Sequence, residues 1–410
     1  MRRGRVKRGA GRALGVAALT AALATQVAAL SQAAGELDTA GSIGFDLRWF
    51  PDEAAQPVQD ESSVASATFE PELRWRGAER RHQLDLALFA RWDEVDDERS
   101  HVDVREASYR YVGNRLEVLA GVSRVFWGVT ESRHLVDVIN QTDAVEDIDE
   151  EDKLGQPMLR LALSRDWGRL ELYTLFGARE RTFPGRRGRL RPPLPVEATR
   201  PRYEASRGDD RIDWALRWSR SVGAFDLGLA TFHGTAREPQ FALGPEGRTL
   251  VPVYAVTRQY SVDAQWTLGA WLLKLEAMTR SGQGETFGAA VAGFERTLFQ
   301  VGGSGADLGL LLELLWDGRG ATAPPTLYDE DTFLGLRLAL NDIQDTEILA
   351  GVIVDHDDGS RVAVVEASRR LGSRFVLSLD VRHFAGVDPG SDLAAVERDG
   401  FANLRLAWHW

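Results

Sequence analysis

The sequence predicts an all-β chain that closes into a transmembrane antiparallel β-barrel of about 18 strands, with about 16 as the alternative count. Three observations predict this fold: a two-residue alternation of apolar and polar side chains, an alternation of short and long connections, and an aromatic residue at the end of the last strand. Successive side chains of a strand point to opposite faces, so a period of two indicates strands rather than helices. After residue 34, no apolar run reaches the length of about 18 residues that a spanning helix needs.

The alternation is clearest in residues 42–49. One face of this segment is apolar and consists of Ile43, Phe45, Leu47 and Trp49. The other face is polar and consists of Ser42, Gly44, Asp46 and Arg48. The same pattern predicts strands along the rest of the chain, near residues 69–76, 84–93, 104–112, 115–124, 157–165, 169–177, 212–221, 224–234, 254–266, 271–280, 286–298, 307–317, 332–341, 347–355, 361–370, 374–384 and 401–410.

The connections between these strands alternate in length. Short turns such as Gly113-Asn114 and Val222-Gly223 are interleaved with long loops, namely 51–61, 94–103, 125–156, 178–211, 235–253, 318–331 and 385–400. Outer-membrane barrels have short periplasmic turns and longer extracellular loops. The pattern therefore predicts an even number of strands and places both chain termini on the periplasmic side.

A soluble β-sandwich would show the same alternation, so the composition of the two faces has to separate it from a membrane barrel. The apolar face consists almost entirely of Leu, Val, Ala, Phe and Trp, whereas the polar face is unusually rich in charge. Its charged residues include Asp213, Arg217, Asp226, Asp263, Lys274, Glu276, Asp380, Arg382 and Arg405. Ten of the 12 tryptophans belong to the apolar face, mostly near strand ends, which is typical of aromatic belts at membrane–water interfaces. These features favour an apolar face against lipid and a polar face that lines the lumen.

Residues 1–34 have the pattern of a secretory signal peptide, and residues 35–410 are predicted to form a single barrel domain. Six basic residues and no acidic residue precede an alanine-rich apolar stretch that ends in small residues. The alternative is an N-terminal membrane anchor, which is the weaker interpretation because Thr20, Thr25 and Gln26 interrupt the apolar stretch. Without the leader, the formal net charge changes from −12 to about −18.

The last predicted strand ends in two alternating tryptophans, Trp408 and Trp410. A terminal strand that closes with Phe or Trp resembles the signal by which bacterial outer-membrane barrels are recognised for insertion. Together with the leader, this resemblance implies a bacterial outer-membrane protein that contacts lipid and lipopolysaccharide and has the barrel-assembly machinery as a partner. The sequence leaves open whether the barrel forms homo-oligomers.

A dense block of aromatic and polar residues lies between two predicted strands. It contains Phe126-Trp127-Gly128, Glu131, Asn140-Gln141-Thr142-Asp143 and Lys153-Leu154-Gly155. The block resembles an uncharacterised, porin-like family of proteobacterial outer-membrane β-barrels, which carry an Arg-containing strand, Trp-Gly, a nearby Glu and an Asn-x-x-Asp motif. The likeness extends more loosely to His233-Gly234-Thr235 and Glu366-Ala367-Ser368 and so covers the whole mature chain. The family has no agreed substrate.

The long loop 125–156 is predicted to fold into the lumen and to narrow it. It is long for a simple tether, and large barrels narrow their lumen with an infolded loop or plug. The predicted pore-lining constriction consists of Arg110, Arg124, Trp127, Glu131, His134, Asn140, Asp143 and Arg160. The alternative is an outward surface loop, because residues 146–152 form an acidic run that normally stays in water. This run lacks the glycine and the spacing of a calcium loop, so no metal site is expected.

Loop 178–211 has the opposite charge, with many arginines around Pro192, Pro193 and Pro195. Its central arginines are predicted to lie on the surface, where they would bind lipopolysaccharide phosphates or attract anions to the mouth of the barrel. These arginines are Arg186, Arg187, Arg189 and Arg191. A disordered, solvated loop is an equally weighted alternative.

These features predict a porin-like channel for the diffusion or selective passage of a small solute. Two alternatives stay open: a channel or acceptor for a hydrophobic or lipid substrate that works with an inner-membrane pump, and an outer-membrane hydrolase. None of the 7 histidines lies in a recognisable nucleophile motif, so we expect no enzyme activity and no cofactor. The lack of cysteine excludes thiolate metal sites and cysteine nucleophiles, and the acidic net charge argues against a nucleic-acid partner.

Overall fold

The computed structural model describes residues 35–59 and 61–410, and the predicted signal peptide lies outside this part of the chain. The described residues form 21 β-strands and four short 3₁₀ turns. One sheet contains 18 of the strands, and the other three form a small separate sheet. No helix in the described part of the chain is both long and apolar enough to cross a membrane.

The barrel strands are β1 (Gly35–Trp49), β2 (Ser63–Gly77), β3 (His82–Asp93), β4 (Val102–Val112), β5 (Leu116–Ser123), β6 (Gln156–Arg165), β7 (Gly168–Phe176), β9 (Ile212–Val222), β10 (Phe225–Thr235), β13 (Val256–Leu268), β14 (Trp271–Ser281), β15 (Phe287–Leu298), β16 (Asp307–Asp317), β17 (Glu330–Ala339), β18 (Glu347–Asp355), β19 (Arg361–Leu371), β20 (Phe375–Ala385) and β21 (Phe401–His409). The small sheet consists of β8 (Arg202–Tyr203), β11 (Gln240–Leu243) and β12 (Leu250–Tyr254). The 3₁₀ turns are Pro57–Gln59, Gly208–Asp210, Val301–Gly303 and Asp392–Ala395.

The large sheet closes on itself through its first and last strands. Ser42 of β1 pairs with His409 of β21 at one end of this seam, and Trp49 pairs with Ala402 at the other end. Neighbouring barrel strands are antiparallel throughout, which confirms the predicted all-β barrel of 18 strands. Closure leaves no free sheet edge, so the strand backbones satisfy one another without water.

The alternation places apolar side chains outside the barrel and charged side chains inside. On β1, Phe45, Leu47 and Trp49 are 63%, 53% and 53% exposed, whereas Asp46 and Arg48 are buried. Exposed tryptophans lie near both ends of the strands, with Trp49, Trp92, Trp214 and Trp316 at the long-loop end and Trp266, Trp271 and Trp410 at the short-turn end. An outer surface with this much exposed apolar area suits lipid rather than water.

The strands differ from the sequence prediction in several places: β2 begins at Ser63 rather than near residue 69, most of the small sheet lies in predicted loops, and two further boundaries differ. Strand β1 begins at Gly35 rather than near Ser42, because its first residues pair with the end of β2 although they lack an apolar alternation. The predicted strand 254–266 is divided at Ala255, where the chain passes from β12 of the small sheet to β13 of the barrel. Pairing partners that are distant in the chain decide both boundaries, and periodicity does not identify them.

The interior of the barrel is apolar on one side. Inward-facing side chains of seven consecutive strands, β14 to β20, form a buried cluster that includes Met278, Phe287, Val291, Leu311, Phe333, Ile353, Val362 and Phe384. Side chains from the long connections pack against this cluster, among them Leu135, Ile148 and Tyr328. Parts of the long connections therefore lie inside the barrel, against this apolar side.

Candidate functional site inside the barrel

Residues 124–155, which connect β5 to β6, lie inside the barrel, and we call them the inner segment. Their polar groups contact side chains of β1, β3, β4 and β20 on one side. Other groups of the same segment contact β14, β16 and β17. Strands β3 and β4 lie across the 18-strand ring from β14 and β16. The inner segment therefore crosses the lumen from one wall to the other.

Asn140 ties the two ends of the inner segment together. Its Oδ1 accepts a hydrogen bond from the backbone N–H of Val125 at 2.8 Å. Its Nδ2 donates to the carbonyl oxygens of Ser123 at 3.0 Å and Leu154 at 2.8 Å. Because Asn140 is only 1% exposed, these bonds satisfy an amide that would otherwise be costly to bury.

Glu276 on β14 holds the first turn of the inner segment. Its buried carboxylate accepts hydrogen bonds from the backbone N–H groups of Val129 at 2.7 Å, Thr130 at 3.1 Å and Val136 at 3.2 Å. A Cβ at position 128 would lie 3.1 Å from Oε1 of Glu276, so Gly128 allows the close approach. Several donors are what a buried carboxylate requires in order to stay ionised. The Trp-Gly pair of the sequence block thus has a structural reason for its glycine.

Glu313 on β16 holds the next two residues of the inner segment. Its carboxylate accepts hydrogen bonds from the backbone N–H groups of Glu131 and Ser132, both at 2.8 Å, and from the Ser132 hydroxyl at 2.6 Å. The carboxylate of Glu131 in turn lies 2.6 Å from Arg337 and 3.7 Å from Lys274. We call Glu276 and Glu313 the glutamate anchor.

The acidic part of the inner segment is bound by arginines on the opposite wall. The ion pairs are Arg105–Asp143 at 2.5 Å, Arg91–Glu146 at 2.6 Å, Arg48–Asp147 at 3.3 Å and Arg382–Asp149 at 2.7 Å. We call these four arginines, from β4, β3, β1 and β20, the arginine anchor. Much of the acidic run 146–152 therefore lies inside the barrel, where guanidinium groups offset its charge.

Asp143 is the most fully bonded carboxylate of the inner segment. Its Oδ2 contacts His101 Nε2 at 3.0 Å and Arg105, and its Oδ1 accepts a hydrogen bond from the Thr182 hydroxyl at 2.7 Å. Burial alone would raise the pKa of Asp143. The hydrogen bond from His101 and the charge of Arg105 outweigh burial and lower this pKa to about 2. Asp143 is therefore anionic throughout the neutral range.

One group of potential metal ligands occurs among residues 35–59 and 61–410. His101, Asp143 and Glu146 offer ligand atoms that all lie within 4.8 Å of one another. Arg105 binds the Asp143 carboxylate and Arg91 binds the Glu146 carboxylate. The negative charge that would attract a cation is therefore already offset.

Two other predicted site residues of the inner segment also face the wall. Trp127 is buried against Tyr173 of β7, with ring centroids 5.5 Å apart in an edge-to-face arrangement. His134 lies beside the glutamate anchor, with Nδ1 3.9 Å from Oε1 of Glu276. Trp127 thus supplies packing, whereas His134 lies next to a buried charge.

The three arginines expected to pair with this loop have other neighbours, and one of them, Arg124, is the first residue of the inner segment itself. Arg110 lies 3.8 Å from Glu117, and Arg160 forms an ion pair with the same carboxylate. Arg124 is exposed, and its backbone N–H donates to Glu106 at 2.9 Å. The arginines that pair with Asp143, Glu146, Asp147 and Asp149 instead form the arginine anchor, because the segment crosses the lumen and these side chains reach strands that are distant in the chain.

A polar cavity of about 390 Å³ lies between the inner segment and the wall formed by β17 to β21. Its charged lining residues are Glu131, Asp149, Glu151, Arg337, Glu347, Glu366, Asp380, Arg382 and Arg405. Carboxylates outnumber guanidinium groups in this lining by six to three. The cavity thus provides a polar space with an acidic lining beside the inner segment.

The four arginines predicted on the surface of loop 178–211 divide into two pairs. Arg186 and Arg187 are exposed, but Arg189 and Arg191 are buried, which corrects the prediction for these two. Arg189 lies 2.5 Å from Asp399, and Arg191 donates to Oε1 of Gln56 at 2.6 Å. The reason for the error is that Asp399 and Gln56 are distant in the sequence and become neighbours of these arginines only in the folded chain. Arg189 and Arg191 are therefore not available to phosphates outside the barrel.

The two C-terminal tryptophans lie beside the barrel seam. The ring centroids of Trp408 and Trp410 are 5.3 Å apart, and Trp410 stacks on Phe69 of β2 at 6.0 Å. The pair therefore links the last strand to the outer surface of the first hairpin.

No protein-family model matches the chain, and no curated protein matches it. Among solved structures, the chain is similar to variants of a porin from Rhodopseudomonas blastica. A triple variant has 13% identity and a TM-score of 0.44, and the match covers 92% of this chain and 100% of the porin. Another variant has 13% identity, a TM-score of 0.45 and the same coverage of both chains, 92% and 100%.

Proposed function

We propose that the protein is a porin-like channel that passes a small polar solute, and that the inner segment sets the width of the passage. The observation that carries this proposal is the position of the inner segment between the two anchors, with a polar cavity of about 390 Å³ beside it. Large barrels restrict their lumen in this way, by loops that fold inward. The predicted constriction residues Trp127, Glu131, His134, Asn140 and Asp143 all belong to this segment.

We place this channel in the bacterial outer membrane. The apolar outer surface and the tryptophans near both strand ends support contact with a bilayer. Trp408 and Trp410 are proposed to be read by the barrel-assembly machinery, and the exposed Arg186 and Arg187 to contact lipopolysaccharide phosphates. The resemblance to the uncharacterised proteobacterial barrel family fits this location but supplies no solute.

The charge of the cavity determines the solute class that we propose. Six carboxylates face three guanidinium groups there, and local fields in a narrow pore decide which ions enter. A cationic or neutral polar solute is therefore expected to pass more readily than an anionic one.

Planar-bilayer recording of the detergent-extracted barrel tests this proposal. We expect stable conductance steps with a preference for cations, and heat-modifiable migration in gels reports that the recorded protein is folded. Replacing Glu366 and Asp380 with glutamine and asparagine should reduce the cation preference, whereas Glu330→Gln, at an exposed strand position, serves as the matched control. A folded barrel that conducts no ions would contradict the channel.

The inward apolar cluster on β14 to β20 favours a second candidate function, which is the transfer of a hydrophobic or lipid substrate. If the inner segment moved away, apolar side chains such as Phe287 and Phe333 would be uncovered inside the barrel. Saturable binding of a fluorescent fatty acid by a non-conducting barrel would favour this alternative. The proposed channel predicts conductance without such binding.

A further inference from the structure

Two histidine–carboxylate pairs join the inner segment to the rest of the barrel. In one pair the segment supplies the carboxylate, and in the other it supplies the histidine. His101, in the connection between β3 and β4, contacts Asp143 of the segment with 3.0 Å between Nε2 and Oδ2. His134 belongs to the segment and faces Glu276 of β14, with 3.9 Å between Nδ1 and Oε1. One pair lies at the arginine anchor and the other at the glutamate anchor. Protonation of either ring adds attraction between the segment and the wall.

We propose that His101 and His134 form a pH-sensitive latch. When the two rings are protonated, they hold the inner segment against the wall. When they lose their protons, the segment loosens and the passage widens. This inference rests on the proposed channel function, because it concerns the regulation of the same passage. The observations that carry it are the positions of the two rings between wall and segment and the acceptors around them.

Both nitrogens of His101 face hydrogen-bond acceptors. Nδ1 lies 2.9 Å from the carbonyl oxygen of Arg99, and Nε2 lies 3.0 Å from the Asp143 carboxylate. A neutral imidazole has only one N–H, so only the protonated ring donates to both acceptors. The other charged groups that face this ring are Glu146 of the segment, at 3.9 Å, and Arg105 of β4, which shares Asp143.

The charged groups around His134 are mostly carboxylates. Glu276 faces it from β14, and Glu151 of the inner segment lies 4.0 Å from its Nε2. The charge of Asp137 also acts on the ring, although Lys153 lies 3.5 Å from that carboxylate and offsets part of its charge. A proton on His134 is therefore placed among negative charges.

The pKa directions agree with this geometry. Burial alone would lower the pKa of each histidine, but Asp143 at His101 and Glu276 at His134 outweigh burial and raise both values. A raised pKa means that the attachment is fully present below the ordinary histidine pKa of about 6.5 and is lost as pH rises through the raised value. Burial and the charge of nearby Glu146 also raise the pKa of Asp152, to about 6. As pH rises above this value, Asp152 becomes charged and repels the neighbouring carboxylates of the inner segment. This repulsion also favours loosening of the segment at higher pH.

Single-channel recordings between about pH 6 and about pH 9 test the latch, since this window spans the titration of a histidine with a raised pKa. The wild-type conductance should rise severalfold with pH. The double variant His101→Gln/His134→Gln, which carries no charge on either side chain, should have high conductance with little pH dependence. His82→Gln and His356→Gln are matched controls, because these rings bond to Tyr109 and Thr332 away from the inner segment, and they should keep the wild-type curve. A wild-type pH curve in the double variant would overturn the proposal.

Amide hydrogen exchange separates failure of the latch from failure of the channel. Protection factors for residues 129–149, corrected for the intrinsic effect of pH on exchange, should fall with rising pH in the wild type and stay low in the double variant. This pattern in a barrel that does not conduct would uphold the latch and contradict the proposed channel function. Conductance with wild-type protection factors that do not change with pH would overturn the latch and leave the channel standing.

Discussion

The arginine anchor and the glutamate anchor hold the same inner segment by different chemistry. At the arginine anchor, four guanidinium groups bind four acidic side chains of the segment. At the glutamate anchor, Glu276 and Glu313 bind mainly backbone N–H groups of the segment. The first attachment depends on which side chains the segment carries, whereas the second depends on its backbone conformation. The acidic side chains of the segment therefore indicate that it needs basic partners, although not which ones, whereas its sequence gives no sign of the glutamate anchor.

The largest effect is expected when one partner of a buried pair at the arginine anchor is removed. Asp143→Ala should destabilise the attachment of the inner segment by about 3–5 kcal/mol, because Arg105 and His101 lose their shared acceptor in a buried site. Hydrogen exchange at residues 143–149 measures the loss. Asp38→Ala, which removes a partly exposed ion pair with Arg76, is the control and should change exchange there by less than about 1 kcal/mol. Equal effects of the two variants would contradict the importance of the anchor.

A smaller effect is expected at the glutamate anchor. Glu276→Gln keeps the size of the side chain but removes the negative charge that several N–H donors share, so it should destabilise the turn at Val129–Thr130 by about 1–3 kcal/mol. Exchange of these two amides reports the change, and Glu330→Gln is the matched control on an exposed strand position. If Glu276→Gln changed hydrogen exchange more at residues 143–149 than at residues 129–136, the two anchors would not hold the inner segment independently of each other.

The smallest expected effect comes from salt. Raising the ionic strength from about 0.1 M to about 1 M shortens the Debye length from about 10 Å to about 3 Å. Salt weakens ion pairs between side chains more than hydrogen bonds to backbone N–H groups. Because the ion pairs of the arginine anchor are buried, the loss of attachment free energy at the two anchors should differ by less than about 1 kcal/mol. Protection at residues 143–149 should fall slightly more than protection at residues 129–136. A larger loss at the glutamate anchor would reverse the assignment of the two chemistries.

The barrel itself was predictable because every strand repeats the same physical requirement. Apolar side chains must alternate with polar ones wherever one face meets lipid and the other faces the lumen. The segment near Phe45 and Trp49 already has this pattern, and its pairing with the last strand follows from closure. The start of β1 at Gly35 was not predictable in this way, because its first residues carry no apolar alternation.

The candidate site was less predictable, because its partners lie far apart in the chain. Asn140 and Asp143 stand out as a motif, and their polar side chains do bond at the base of the segment and at the wall. Glu276 lies 147 positions from Val129, and only the folded barrel brings them together. Arg110 and Arg160 were expected as partners because they are near the inner segment in the chain. The actual partners Arg48 and Arg382 are far from it in the chain and reach it only in the folded barrel. Periodicity predicts which face a residue occupies, not which loop reaches it.

If the inner segment sets the width of the passage, shortening this segment should widen it. Residues 133–152 are deleted and the single-channel conductance is recorded, with heat-modifiable migration as the check that the barrel still folds. Removal of residues 244–249, the outer turn between β11 and β12, is the control. We expect a severalfold higher conductance and weaker ion selectivity for the first deletion and little change for the second. Unchanged conductance of a folded barrel without residues 133–152 would contradict a role of the inner segment in setting the width.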